Sequence, residues 1–269
     1  MSRTFRVILV GLNGRSIERD VMFLATVNPE DLSPMRISLT GPEHDRRREA
    51  VSTPKARNYE GQTHISGTYF FSRSGRRVIY ESRLEHLRLQ LADLDPDSLQ
   101  VATQPFALLI HDEANDTVYS HVPDILLSRR GRPRLLVDVR PWALQSDPHS
   151  RLAFQATREA CAIVGFDYEV WGEPPVVQAY NVQFLSGFRR APLRFETIAP
   201  LVLDAVRTSA TDLSLDEIES LVDRPYLTRP VLFHLIWRGD LKLNLKLPLS
   251  SASLVTPGPL FPGQRRSDT

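Results

Sequence analysis

Between Tyr119 and Pro141 the chain reads YSHVPDILLSRRGRPRLLVDVRP, two short apolar runs on either side of Gly131. Each run carries one aspartate: Asp124 lies seven residues before the glycine and Asp138 seven after it. If the runs pair as an antiparallel hairpin about Gly131, the two carboxylates face each other on one side of it. Like charges opposed across a ladder are destabilising, because their side-chain stems stand only about 5 Å apart. Something positive is therefore expected beside them.

The 269 residues suffice for two ordinary domains, and a hydrophobic share of 42% allows a packed core. A net charge of +1 argues against a protein that coats nucleic acid over its whole surface, so any such contact must come from local patches. The single cysteine, Cys161, excludes a disulfide framework and any multi-cysteine zinc site, and it fits a reducing cytoplasm. Cys161 sits on an apolar helical face and reads as a small core residue rather than a nucleophile. No run approaches the roughly 18 apolar residues that span a bilayer, and the opening MSRTFRVILVGLNGRS turns polar too soon for a signal peptide. A soluble cytoplasmic protein without membrane contact is expected.

Punctuation divides the chain. Residues 1–75 read as a β-rich extension, with two strands around Asn13-Gly14 in FRVILVGLNGRSIERDVMFL. The VGLNGRS segment lacks the third glycine and the Lys-Ser/Thr of phosphate-binding loops, so a hairpin is preferred. Residues 76–175 hold a core of helix, β-meander, helix and strand, an α+β sandwich. Its first helix carries Leu84, Leu87 and Leu91 at helical spacing and closes at Asp95-Pro96. Pro174-Pro175 and FRRAPL suggest a linker over 176–194. Residues 195–256 give two or three helices, with a capping box at Ser214 and Glu217. Leu241, Leu243, Leu245 and Leu247 then alternate with polar residues, and helices followed by such a ribbon read as a winged helix. Residues 257–269 read as a disordered tail.

Residues two apart on a strand share a face, so Asp138 and Arg140 point together, and Asp124 joins them across the hairpin. Glu81 and Glu85, four apart, share a helix face. Such carboxylates suit a hard divalent cation, with positions left for water and a phosphate. His121, three residues before Asp124, reads as an edge-strand histidine contacting backbone or DNA rather than as a ligand. The turn arginines Arg129, Arg130 and Arg132, with Arg134, suggest contact with a nucleic-acid backbone.

Pro-Asp followed about a dozen residues later by Asp-X-Arg resembles the PD-(D/E)xK nuclease superfamily. More narrowly, YESRLEHLRLQLADLDPDSLQVATQPFALL, HVPDILL, LLVDVRP and TREACAIVGFDYEV resemble TnsA-like endonuclease subunits of heteromeric transposases, over residues 57–171. The resemblance implies a restriction-endonuclease-like α/β core and a C-terminal winged-helix domain. It implies an Mg²⁺-dependent DNA endonuclease, Mn²⁺ substituting, that hydrolyses phosphodiester bonds at transposon 5′ ends to leave a 5′-phosphate and a 3′-hydroxyl. Its implied partners are DNA, a TnsB-like DDE transposase and a TnsC-like AAA+ ATPase, and its implied place is a bacterial cytoplasm, at the nucleoid when assembled. By this resemblance Glu85 is the helix carboxylate, with Glu81 the alternative. Asp124 and Asp138 are metal ligands, Val139 lends its carbonyl, and Gln104 holds a structural position. Arg140 stands where the superfamily has lysine, and a guanidinium keeps its proton, so it is left to bind the scissile phosphate. A stand-alone restriction or repair nuclease and a catalytically inactive adaptor are the alternatives.

Overall fold

The computed structural model describes residues 5–10, 21–27, 34–37, 65–112 and 117–263. The Asn13-Gly14 turn and residues 264–269 lie outside them. The chain is a mixed α+β protein that divides into two compact units, one of residues 1–86 and 98–173 and one of 87–97 and 174–269. Among the described residues no helix is long and apolar enough to cross a membrane.

The first unit contains two larger sheets and a hairpin. Strands β1 (Phe5–Val10), β2 (Val21–Val27) and β3 (Pro34–Ile37) form a five-stranded sheet with β7 (Ala107–Asp112) and β8 (Thr117–His121), in the order β3-β2-β1-β7-β8. Among the described residues β4 (Gly67–Phe71) and β5 (Arg76–Tyr80) pair only with each other, around Gly75. The helix expected to open the core at residue 76 therefore starts later, as α1 (Arg83–Leu94), because the β-branched run before it pairs with β4. The expected boundary between residues 75 and 76 falls inside that hairpin. β6 (Ser98–Thr103), β9 (Ile125–Arg129), β10 (Arg132–Val139) and β11 (Asp167–Trp171) form the second sheet, ordered β11-β10-β9-β6.

The stretch expected to be one meander is thus split between two sheets. Gln104 adopts a left-handed backbone, φ 48°, and Pro105 cannot donate to a ladder. Together they turn the chain out of β6 before β7, which then pairs with β1 over six positions, from Phe5 against Asp112 to Val10 against Ala107.

The hairpin of β9 and β10 forms as its sequence requires. Gly131 takes φ 61° at the turn, where most side chains are disfavoured. Leu127 pairs with Leu135, Leu126 with Leu136, and Ile125 with Val137, after a register shift near Arg132. Ile125, Leu127 and Val137 are buried, and so are Leu126 and Leu136 of the opposite face. Both faces of the hairpin are covered, which is why its apolar runs are continuous rather than alternating. α2 (Pro148–Val164) covers one of them, packing Ala156, Ala160 and Cys161 on Leu126 and Leu136. Asp147 caps α2 by accepting the Ser150 N–H at 3.0 Å, and Gly165 at φ 72° ends it. The helix carries the chain from β10 to β11, which pairs parallel to β10 with Leu136 against Tyr168.

The second unit takes residues 87–97 and adds α3 (Val176–Ser186), α4 (Phe195–Thr208), β12 (Leu213–Ser214), α5 (Leu215–Val222), α6 (Pro225–Arg238), β13 (Leu241–Lys242) and β14 (Leu254–Pro257). The three short strands are ordered β12-β14-β13. Its core gathers Leu185, Val202, Ile218 and Trp237, with Leu94 packed against it. The capping box forms: Ser214 Oγ accepts the Glu217 N–H at 3.3 Å, and the Glu217 carboxylate accepts the Ser214 N–H at 2.7 Å.

Three expectations fail here. Residues 176–186 are a helix, not a linker; Pro175 opens it, since proline suits a helix start, and Val182 and Leu185 are buried. The Leu241–Leu247 ribbon pairs only at Leu241 and Lys242. Farther on, the Asn181 side chain donates to the carbonyls of Leu245 at 2.9 Å and Leu247 at 2.7 Å, in place of a strand partner. The tail expected from residue 257 contains Phe261, which is 6% exposed in the core cluster.

Candidate functional site

Continuing the register of β9 and β10 by one position sets Asp124 against Asp138. Both backbones are held. The Asp124 carbonyl accepts the backbone N–H of Gln104 at 2.8 Å. The Asp124 carboxylate accepts the Val139 N–H at 2.6 Å through Oδ2, while Oδ1 accepts no hydrogen bond from a described residue. Val139, whose carbonyl the resemblance assigns to a metal ion, meets Asp124 through its N–H.

Asp124 stands in a concentration of negative charge. Burial raises its pKa well above the usual carboxylate range, and the charges of Glu85, Asp138 and Glu81 raise it further, against the pull of the Val139 N–H. Glu85 is the strongest acidic neighbour. It is buried in the first turn of α1, where its Oε2 accepts the Glu81 N–H at 2.9 Å and its own N–H donates to Ser82 Oγ at 3.1 Å. Ser82 is therefore the cap of α1, and Glu85 reaches back over the helix start. Glu81 precedes the helix, so the two glutamates do not share a helical face; Glu81 is exposed, and its charge acts on Asp124 least of the three.

Asp138 has different company. It is 2% exposed, and His121 Nε2 lies 3.0 Å from each of its carboxylate oxygens. The Tyr168 hydroxyl donates to Oδ2 at 2.5 Å. Burial and the Asp138 charge push the Tyr168 pKa up, so its phenol stays protonated and donating. His121, expected against backbone or DNA, is instead the partner of Asp138. Tyr168 was missed; a tyrosine on a strand beside the motif, where a buried hydroxyl needs a partner, was the available signal. Cys161 is a core residue, its thiol pushed up to about 12, chiefly by burial.

Arg140 is exposed just beyond β10, with its N–H on the Trp171 carbonyl at 2.8 Å and its carbonyl accepting Gln145 Nε2 at 2.9 Å. Among the described residues its guanidinium forms no ion pair. Next to it Trp142 is 58% exposed, held by its indole N–H on the Glu173 carbonyl at 2.8 Å.

The turn arginines are not a uniform set. Arg129 donates to the Pro133 carbonyl at 2.9 and 2.6 Å and pairs with Asp167, clamping the turn to β11 instead of pointing at a ligand. Arg130 and Arg132 are exposed. Arg132 is six residues from Asp138 along β10, about 20 Å in an extended strand.

Mg²⁺ is commonly held by one or two carboxylates, waters and a substrate phosphate. Asp124, with an open oxygen and a surplus of neighbouring negative charge, fits that chemistry, and Glu85 is the acid best coupled to it. Asp138 does not fit, since both oxygens are engaged and it is sealed from solvent. Among the described residues no group of three or more Asp, Glu, His or Cys side chains stands where it could hold a metal ion. The three-carboxylate set expected from the sequence is therefore not assembled. No protein-family model matches the chain, and no curated protein matches it.

Proposed function

We propose that the chain is a metal-dependent DNA endonuclease, acting as the cutting subunit of a heteromeric transposase at the 5′ ends of the element. The observation that carries this reading is the Asp124 carboxylate, partly buried among Glu85, Asp138 and Glu81 with one oxygen open. A buried carboxylate surrounded by like charge is costly unless a cation offsets it. Asp124 and Glu85 would hold the ion. A divalent ion bound there supplies an acidified water and a positive charge against the phosphate. Arg140, exposed and without an ion pair among the described residues, binds the scissile phosphate, and Trp142 offers an aromatic face beside it.

The parallel β10–α2–β11 crossover beside the acidic hairpin supports a restriction-endonuclease-like core. The order helix, strand, two helices, two strands from α4 to β14 supports a winged helix, more suited to docking an AAA+ ATPase than to reading bases. A DDE transposase would handle the 3′ ends and supply end specificity, since a net charge of +1 gives weak autonomous DNA binding. The setting is a bacterial cytoplasm.

The test is nicking of supercoiled plasmid DNA carrying the element's ends, in Mg²⁺ or Mn²⁺, with and without a DDE transposase. Asp124→Ala is expected to lower the rate by at least about 100-fold, the scale of a lost transition-state contact. Equal nicking by wild type and variant removes the proposal. Nicking without any partner points to a stand-alone nuclease. The sequestered Asp138 favours a second reading, an adaptor that does not cut; metal-dependent nicking abolished by Asp124→Ala dismisses it.

A further inference from the structure

Under the endonuclease reading above, on which this proposal rests, the attacking water must lose a proton. Arg140 cannot take it, because a guanidinium stays protonated at any relevant pH. The cluster of His121 and Tyr168 around the buried Asp138 can. His121 ends β8, in the other sheet of the same unit, and turns Nε2 onto both oxygens of Asp138. A carboxylate only accepts, so Nε2 carries the hydrogen, and in neutral imidazole Nδ1 then carries the lone pair. The His121 side chain keeps 20% of its surface exposed, and Nδ1 bonds no described residue. Tyr168 donates to the same carboxylate from β11, so Asp138 is held from two sides. An imidazole oriented by a buried aspartate, with its second nitrogen open, is arranged to accept a proton. His121 lies three residues before Asp124 in the chain, and its Nε2 bonds the carboxylate that faces Asp124 in the register.

We propose that Asp138 is a positioning residue rather than an ion ligand, and that His121 takes the proton of the attacking water beside Asp124. The water O–H bond breaks and its proton passes to Nδ1. The oxygen's electron pair forms the new bond to phosphorus as the bond from phosphorus to the 3′ oxygen breaks. The departing 3′ oxygen takes a proton from solvent, and His121 returns its own to solvent.

Three measurements on the full chain test this: Mn²⁺ binding by titration calorimetry and electron paramagnetic resonance, the His121 tautomer by nitrogen NMR, and plasmid nicking. Asp124→Asn is expected to lose Mn²⁺ binding, whereas Asp138→Asn and His121→Ala keep wild-type affinity. Asp138→Asn is expected to shift the hydrogen from Nε2 to Nδ1, since an amide nitrogen facing the ring needs an acceptor. His121→Ala is expected to slow nicking by about 10²–10⁴-fold, the range for a lost general base. Loss of Mn²⁺ affinity in Asp138→Asn to the extent seen in Asp124→Asn overturns the proposal, as does wild-type nicking by His121→Ala. If Asp138→Asn does not fold, His121→Ala still decides. The tautomer is read without DNA or metal, so a wild type that neither binds Mn²⁺ nor nicks removes the endonuclease reading and this role together. A tautomer unmoved by Asp138→Asn removes the His121–Asp138 coupling alone.

Discussion

Asp124 and Asp138 occupy mirrored places on one hairpin, yet their surroundings have opposite character. Asp124 is given one backbone donor and three acidic neighbours, which together with burial disfavour its charge. Asp138 is given two side-chain donors in a sealed site, so its charge is already met within the protein. The lesson is that two symmetric acids need not share one task. One stands among like charges, and the other is met by donors within the protein.

The sharpest way to break this contrast is to truncate each acid. Asp138→Ala strands the His121 and Tyr168 donors in a buried site, and is expected to cost about 3 kcal/mol in urea unfolding, several times the cost of Asp124→Ala. Equal costs would mean that the two sites do not differ as described.

Next in size is the response of Asp124 to cations and pH. At neutral pH a divalent ion at 100 times its dissociation constant should stabilise the wild type by about 2.7 kcal/mol, and Asp124→Asn not at all. Without the ion, the sign comes from the raised pKa of the folded acid. Between the unfolded and folded pKa values the native chain binds more protons, so its stability falls as pH rises through that window. Asp124→Asn should therefore melt above the wild type at pH 7.5, the gap closing below about pH 4, where the unfolded acid is protonated.

Smaller effects sharpen the picture of each partner. Tyr168→Phe removes one charge-assisted donor from Asp138 and is expected to cost about 1.5 kcal/mol in the same unfolding assay. Ser82→Ala should cost about 1 kcal/mol by removing the cap of α1, and amide exchange should show it as faster fraying near Glu85.

The hairpin was legible because its information is local: a glycine where φ must be positive, flanked by apolar runs of equal length. Its register followed, and with it the facing of Asp124 and Asp138. The fate of Asp138 was not legible, because its partners arrive from afar. His121 comes from a strand of the other sheet, and Tyr168 from beyond α2 by a parallel pairing with no local signature. The splitting of the meander is likewise decided by β1, about a hundred residues before β7. Other misses were of punctuation. Pro174-Pro175 suggests a linker although proline equally starts a helix, and the alternating leucines of 241–247 meet a side chain, Asn181, rather than another strand. The cap at Ser82 was in plain view, one residue before α1 begins.

The membership of residues 87–97 has an outcome for how the chain is made. They precede nearly half of the first unit, yet belong to the second, where Leu94 meets the core and Gln90 bonds Ser186 at 3.0 Å. On the ribosome this stretch emerges long before the helices it must join, and it has to wait for them. A fragment cut at Pro174 would inherit the later helices without that early segment, and no single scissor stroke separates the two halves into intact heirs.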